Sequence, residues 1–136
     1  MKKNNKSRID VYSTIYPVDI VVANQYTTLK ELQNKYIRCD DVELPEAVME
    51  DLASTTRCRD KKTGKAVVLI KFNRHTSVKG VDKQVSLVNT CAHEAAHAVL
   101  SIYDFIEEDV CLVHQETFAY FMGSVTEWIY KTIKNK

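Results

Sequence analysis

Two histidines four positions apart, with a glutamate directly after the first, are the residues best suited to chemistry: His93, Glu94 and His97. Side chains at this spacing share one face of an α-helix, with Cβ atoms roughly 5–6 Å apart. Two imidazoles so placed can bind one cation, and zinc accepts nitrogen ligands at ~2.0–2.1 Å. Glu94 then lies beside the cation, where its carboxylate can take a proton from water. The segment therefore matches HExxH, a pattern typical of hydrolytic zinc sites.

The motif requires a helix, and the surrounding sequence has helical periodicity. Apolar residues recur at helical spacing, which predicts a buried stripe made of Val85, Val88, Ala92, Ala95, Val99 and Ile102. The neighbouring face carries both histidines, together with Asn89, Ala96 and Leu100. Either histidine alone is more often an ordinary helix residue with a hydrogen-bonding partner. It is the pair that indicates a metal.

A catalytic zinc site has a third protein ligand and one position left open for water. The metzincin offsets do not supply that ligand, because Leu100 and Tyr103 stand where the metzincin pattern has glycine and histidine. The third ligand must therefore lie further along the chain.

A last helix is predicted from Val110 to Lys134, where apolar residues again recur at helical spacing. Glu116 shares one face of it with Ala119 and Gly123, two residues with almost no side chain, which would allow this helix to approach the HExxH helix closely. We therefore expect Glu116 to complete a His/His/Glu ligand set. A solvent-facing glutamate is the alternative, and the competing third ligands are His114, Cys111 and an acidic cluster of Asp104, Glu107, Glu108 and Asp109.

With these residues the chain resembles the gluzincins, peptidases in which a second helix contributes a glutamate, often with alanine three positions later. Here that segment reads Glu116, Thr117, Phe118, Ala119. The resemblance implies zinc bound by His93, His97 and Glu116. It also implies Glu94 as general base and proton shuttle in the hydrolysis of a protein or peptide substrate.

The layout is also similar to small zincin-like proteins of bacteriophages and mobile elements, in which a strand-rich half precedes two helices. That similarity implies a phage or mobile-element protein as a partner. It leaves open a second function, in which the zincin fold is a structural or interaction module that binds zinc without proteolysis. An accidental HExxH in a domain that binds no metal is the third alternative.

The remaining sequence predicts one α+β domain over residues 9–136, after a basic tail at residues 1–8 that we expect to be disordered. The elements predicted before the motif are a strand at Ile9–Val22 bent at Pro17, a helix at Thr28–Arg38, and a hairpin of Ser54–Arg59 and Lys65–Phe72. We expect a zincin-like minimal domain, with a small, mostly antiparallel three-stranded sheet followed by the HExxH helix and a C-terminal helix.

The hairpin strand nearest the motif, Ala66–Phe72, permits two interpretations. In zincins an edge strand beside the zinc helix pairs with extended substrate, and this strand is the candidate for that role. Its run of Val67, Val68, Leu69 and Ile70 also suits a central strand that is buried on both faces.

The chain has 19 basic and 18 acidic residues and a net charge of +1, which argues against an extended nucleic-acid surface. A group of cations around the hairpin turn leaves an acidic peptide or nucleic acid as a minor alternative. Four cysteines lack any CxxC pair, and the basic start of the chain has no secretory signal. We therefore expect reduced thiols in a cytoplasmic protein that no membrane-spanning segment anchors.

Overall fold

Five strands form one mixed sheet in the part of the chain that the computed structural model describes, residues 5–134. The strands are β1 (Ile9–Tyr12), β2 (Asp19–Ala23), β3 (Tyr36–Arg38), β4 (Ala53–Asp60) and β5 (Ala66–Phe72). Their spatial order is β1-β2-β5-β4-β3. The central pair, β2 and β5, is parallel, and the other neighbours are antiparallel. The α+β class is as expected, but a three-stranded, mostly antiparallel sheet is wrong.

The segment predicted as one strand, Ile9–Val22, is in fact two. Its halves pair as antiparallel β1 and β2, with Ile9 opposite Ala23 and Tyr12 opposite Ile20. The reversal between them contains Pro17, which has no N–H to give to a sheet. The hydroxyl of Thr14 donates to the Val18 carbonyl at 2.7 Å and helps to hold the turn.

A short first helix, α1 (Leu29–Lys35), has Thr28 as its N-cap. The Thr28 hydroxyl accepts from the Glu31 amide at 3.2 Å, and the Glu31 carboxylate accepts from the Thr28 amide at 2.7 Å. The helix ends at Lys35 rather than Arg38, because Tyr36 is extended and buried and the chain from there pairs with β4 as β3. That short edge strand was not predicted.

Two long helices lie against one face of the sheet: α2 (Lys83–Phe105) over β4 and β5, and α3 (Glu116–Lys134) over β1 and β2. Their core with the sheet includes Ile20, Ile70, Ala95, Ile102 and Ile129. On the other face, α1 and the short 3-10 turn at Glu46–Met49 cover Val21, Leu69 and Cys58. The sheet is therefore the middle of three layers, with the HExxH segment in an outer one.

The predicted apolar stripe of α2 is partly wrong. Ala95, Val99 and Ile102 are buried, whereas Val85 and Val88 are 68% and 50% exposed. Much of α2 is apolar around its circumference, so periodicity alone does not fix which arc meets the sheet; the buried arc instead includes Leu87, Cys91 and Ala98.

The last helix is confirmed from Glu116 onward, while residues 110–115 are not helical. The predicted hairpin is also confirmed, with β4 and β5 antiparallel from Ala53 opposite Phe72 to Arg59 opposite Ala66. Strand β5 lies between β2 and β4, so it is central rather than an edge that substrate can reach. Its apolar run from Val67 to Ile70 is buried accordingly.

Residues 1–4 of the predicted tail lie outside the described residues, and at its end the Arg8 amide donates to the Asn24 side chain at 3.0 Å. Cys39, Cys58, Cys91 and Cys111 are all free thiols. Among the described helices, none is both long enough and apolar enough to cross a membrane.

Lys71 on β5 gives a prediction about stability. Its ammonium is fully buried and donates to the carbonyls of Asn24 and Phe72 at 2.8 and 2.7 Å. Burial lowers the pKa of Lys71 from 10.5 to about 8, so between these pH values the unfolded chain binds this proton more tightly than the folded chain. The stability of the wild type relative to Lys71→Met should therefore rise with pH across that window, by up to about 1.4 kcal/mol per pH unit.

Urea unfolding of both proteins at several pH values from 7.5 upward measures this difference. Groups with raised pKa values, such as Tyr36 and Cys58, are present in both proteins and largely cancel. If the free energies of unfolding of the two proteins changed with pH by the same amount, the prediction would be contradicted.

Candidate metal centre

The two histidines of the motif come together on the exposed side of α2. The Nε2 atoms of His93 and His97 are 3.2 Å apart, and the ring planes are inclined by 75°. Two nitrogens bound at ~2.0–2.1 Å to a tetrahedral zinc are separated by roughly 3.3–3.4 Å. The two rings are within hydrogen-bonding distance of each other, and the same separation is close to the one that a shared cation requires. Both imidazoles are open to solvent, so a position remains for water or substrate.

Glu94 points toward the sheet rather than into solvent. Its side chain is on the β4 side of α2, the residue is 5% exposed, and its carboxylate accepts a hydrogen bond from the Thr55 hydroxyl at 2.5 Å. A short bond to an ionised acceptor is among the stronger hydrogen bonds in proteins. Thr55 therefore fixes the carboxylate between the helix and the sheet.

A cleft of about 330 Å³ opens between α2 and the start of β4. His93 and Glu94 both line it, so the first predicted ligand and the predicted base face one space. The rest of the lining is Asp51, Leu52, Ala53, Asn89 and Thr90. This common space is what a metal-assisted hydrolysis needs, since the base must reach the water that the metal activates.

Glu116 is not brought to the histidines. It is the exposed first residue of α3, close to the end of α2, where the rings of Phe118 and Tyr103 meet at 5.6 Å. Tyr103 lies six residues beyond His97, or roughly 9 Å along the helix axis. Within residues 5–134, no three His, Cys, Asp or Glu side chains are grouped closely enough to hold a metal.

The small-residue stripe does not make the expected helix contact. Gly123 is exposed, and a Cβ placed there would meet no atom within 4 Å. Ala119 is exposed as well. The expected close approach of the helices at these positions is therefore wrong, and ligation by Glu116 stays a prediction.

Among the described residues, the other candidate ligands do not form a group with the two histidines either. Asp104 pairs with Arg57 at 2.6 Å, and His114 and Cys111 are exposed in the connection between α2 and α3. Cys91 is two residues before the motif, but it is buried, and burial raises the pKa of its thiol to about 11. It is therefore a protonated core residue at neutral pH.

Thr55 and Asp51 were missed by sequence reasoning. Thr55 is 39 residues from Glu94, and nothing in the local pattern of β4 separates it from an ordinary strand threonine. Asp51 precedes β4 in a polar connection where a carboxylate is unremarkable. Only the docking of α2 on β4 makes either residue part of the site.

Comparison with known proteins identifies no relative: no family model, curated protein or solved structure matches the chain.

Proposed function

We propose that this protein is a zinc-dependent peptidase whose site is built on His93, Glu94 and His97. The observation that carries the proposal is the 3.2 Å separation of the two Nε2 atoms, beside a cleft that both His93 and Glu94 line. An i,i+4 histidine pair without such a cleft could bind a metal but would offer no room for a hydrolytic reaction. Here the residues for metal binding and the residue for proton transfer are adjacent.

In the proposed reaction, the histidines, Glu94 and Thr55 have different roles. Zinc held by the imidazoles would supply the Lewis acidity that makes water a nucleophile near neutral pH. Glu94 takes the proton from the attacking water and returns it to the leaving amine of the cleaved peptide bond. The hydrogen bond from Thr55 keeps the Glu94 carboxylate in one position while it does so.

An open sheet edge next to Glu94 supports a peptide substrate. Strand β3 covers β4 only at Cys58, Arg59 and Asp60. Beyond them, the Cys39 amide donates to the Arg57 carbonyl at 3.2 Å. Backbone directions along a strand in an antiparallel pair alternate, so the N–H and C=O of Thr55 point to the same side as those of Arg57.

No other described residue gives Thr55 a backbone hydrogen bond on that side. A groove of about 470 Å³ is lined by this part of β4 together with Pro45 and Val48. An extended peptide can add to the open edge as a further strand. This segment of β4 thus takes the role that the sequence suggested for β5.

A zinc-binding interaction module that cleaves nothing is the second candidate. It is favoured by apolar side chains that stand in solvent on the connection between α2 and α3, where Leu112 and Val113 are 82% and 81% exposed. Such residues suit a protein partner, and a phage or mobile-element protein is the partner we propose. For either function we propose a cytoplasmic location, which the four free thiols support.

Hydrolysis of a mixed pool of quenched fluorescent peptides by the zinc-loaded protein tests the proposal. We expect cleavage that a chelator abolishes and added zinc restores. Bound zinc without cleavage of any pool would favour the interaction module. Failure to bind zinc would exclude both functions.

A further inference from the structure

Besides Glu94, one other acidic residue lines the cleft beside His93, and it is Asp51. Glu94 is already held by Thr55. The Asp51 side chain is exposed and, among the described residues, has no hydrogen bond or ion pair. An exposed carboxylate without a partner, on a residue that lines the cleft, is available to a cation.

The backbone that carries Asp51 is fixed although its carboxylate is not. The Asn73 side chain donates to the Asp51 carbonyl at 2.9 Å, and the Asn73 amide donates to the Leu52 carbonyl at 2.8 Å. The next residue, Ala53, begins β4. The backbone at Asp51 is therefore held in place beside the cleft, and its side chain moves mainly by rotation about its own torsion angles.

We infer that Asp51 is the third metal ligand and forms a His/His/Asp set with His93 and His97. Carboxylate oxygen is an accepted zinc ligand at ~2.0–2.2 Å. Since no three such side chains of residues 5–134 are grouped for a metal, the Asp51 side chain has to turn toward the histidines when the cation binds. The inference rests on the proposed function, and it places the third ligand before the motif rather than after it.

The position of Asp51 favours it over Glu116. Asp51 and His93 line one cleft on the β4 side of α2. Glu116 begins α3, which lies on the other side of α2 and meets it through the Phe118 and Tyr103 rings. The position of α3 on α2 is set by a shared core that includes Val99 and Val125. Asp51 lies outside that core, in the connection just before β4.

Zinc affinity of the apoprotein, measured by competition with a chromophoric chelator, tests the inference without any activity assay. We compare Asp51→Asn with Glu116→Gln and with Glu50→Gln, which changes an exposed carboxylate next to Asp51 that does not line the cleft. We expect Asp51→Asn to weaken zinc binding at least ~10-fold, as even the loss of outer-shell partners does. The other two variants should bind as the wild type does.

Two further measurements sharpen the result. Asp51→Glu keeps a carboxylate and should recover part of the lost affinity, and circular dichroism of the apoproteins shows that each variant folds. Loss of affinity in Glu116→Gln but not in Asp51→Asn would overturn the inference in favour of Glu116. Wild-type affinity in both variants would also overturn it. A wild type that binds no zinc would instead refute the proposed function itself.

Discussion

Glutamine in place of Glu94 should leave zinc bound and lower peptide hydrolysis by roughly 10²–10⁴-fold, the usual contribution of a general acid or base. The amide has the size of the carboxylate and can still accept the hydrogen bond of the Thr55 hydroxyl. It cannot take a proton from water. Because neither imidazole is altered, metal content should stay at the wild-type value.

The matched control is Glu127→Gln, which removes a carboxylate from the exposed side of α3 and breaks only a surface pair with Lys131. Zinc content and initial rates are measured on the same preparations of both variants. A Glu94→Gln protein with wild-type turnover would show that another group acts as base. A variant that loses zinc together with activity would mean that Glu94 supports the metal site, which is a different role.

The histidine pair was predictable because its geometry is local. Residues four apart on a helix are neighbours whatever the rest of the chain does, and the 3.2 Å separation of the two Nε2 atoms agrees with that rule. The β4–β5 hairpin was predictable for the same reason, since its turn is short and Gly64 takes a positive φ of 74° there. Structure that depends on near neighbours could be inferred from the sequence.

The rest of the site depends on which elements meet. The contact between Thr55 and Glu94 spans 39 residues, and the cleft that joins Asp51 to His93 exists only because α2 lies over β4. Spacing within α2 did not reveal this, since its valines at 85 and 88 suit a buried face as well as Leu87 and Cys91 do. Helical periodicity therefore predicted the helix correctly, but for part of its length it predicted the wrong buried face.

The sheet was underestimated for a related reason. The parallel pairing of β2 with β5 joins segments more than 40 residues apart, and β3 is only three residues long. Neither feature produces a sequence pattern that distinguishes it from the residues around it. Pro17 marked a bend correctly, but a bend within one strand and a reversal between two strands give the same local pattern.

Replacing His93 and His97 together by alanine should remove bound zinc, from about one ion per chain to none, while the apoprotein stays as stable as the wild-type apoprotein. Both imidazoles are exposed and contribute nothing to the buried core. Exposed substitutions of this kind usually change stability by less than about 0.5 kcal/mol. Elemental analysis gives the metal content, and thermal unfolding with and without zinc gives the stability.

The zinc dependence of stability is the sharper part of this prediction. A ligand that binds only the folded state at 100 times its dissociation constant stabilises that state by about 2.7 kcal/mol. Wild type and the control His114→Ala, which removes an exposed histidine outside the motif, should both gain this stability when zinc is added. The double variant should gain none. Zinc-dependent stabilisation that survives loss of both histidines would locate the metal elsewhere, and the HExxH segment would then be an ordinary helix with two surface histidines.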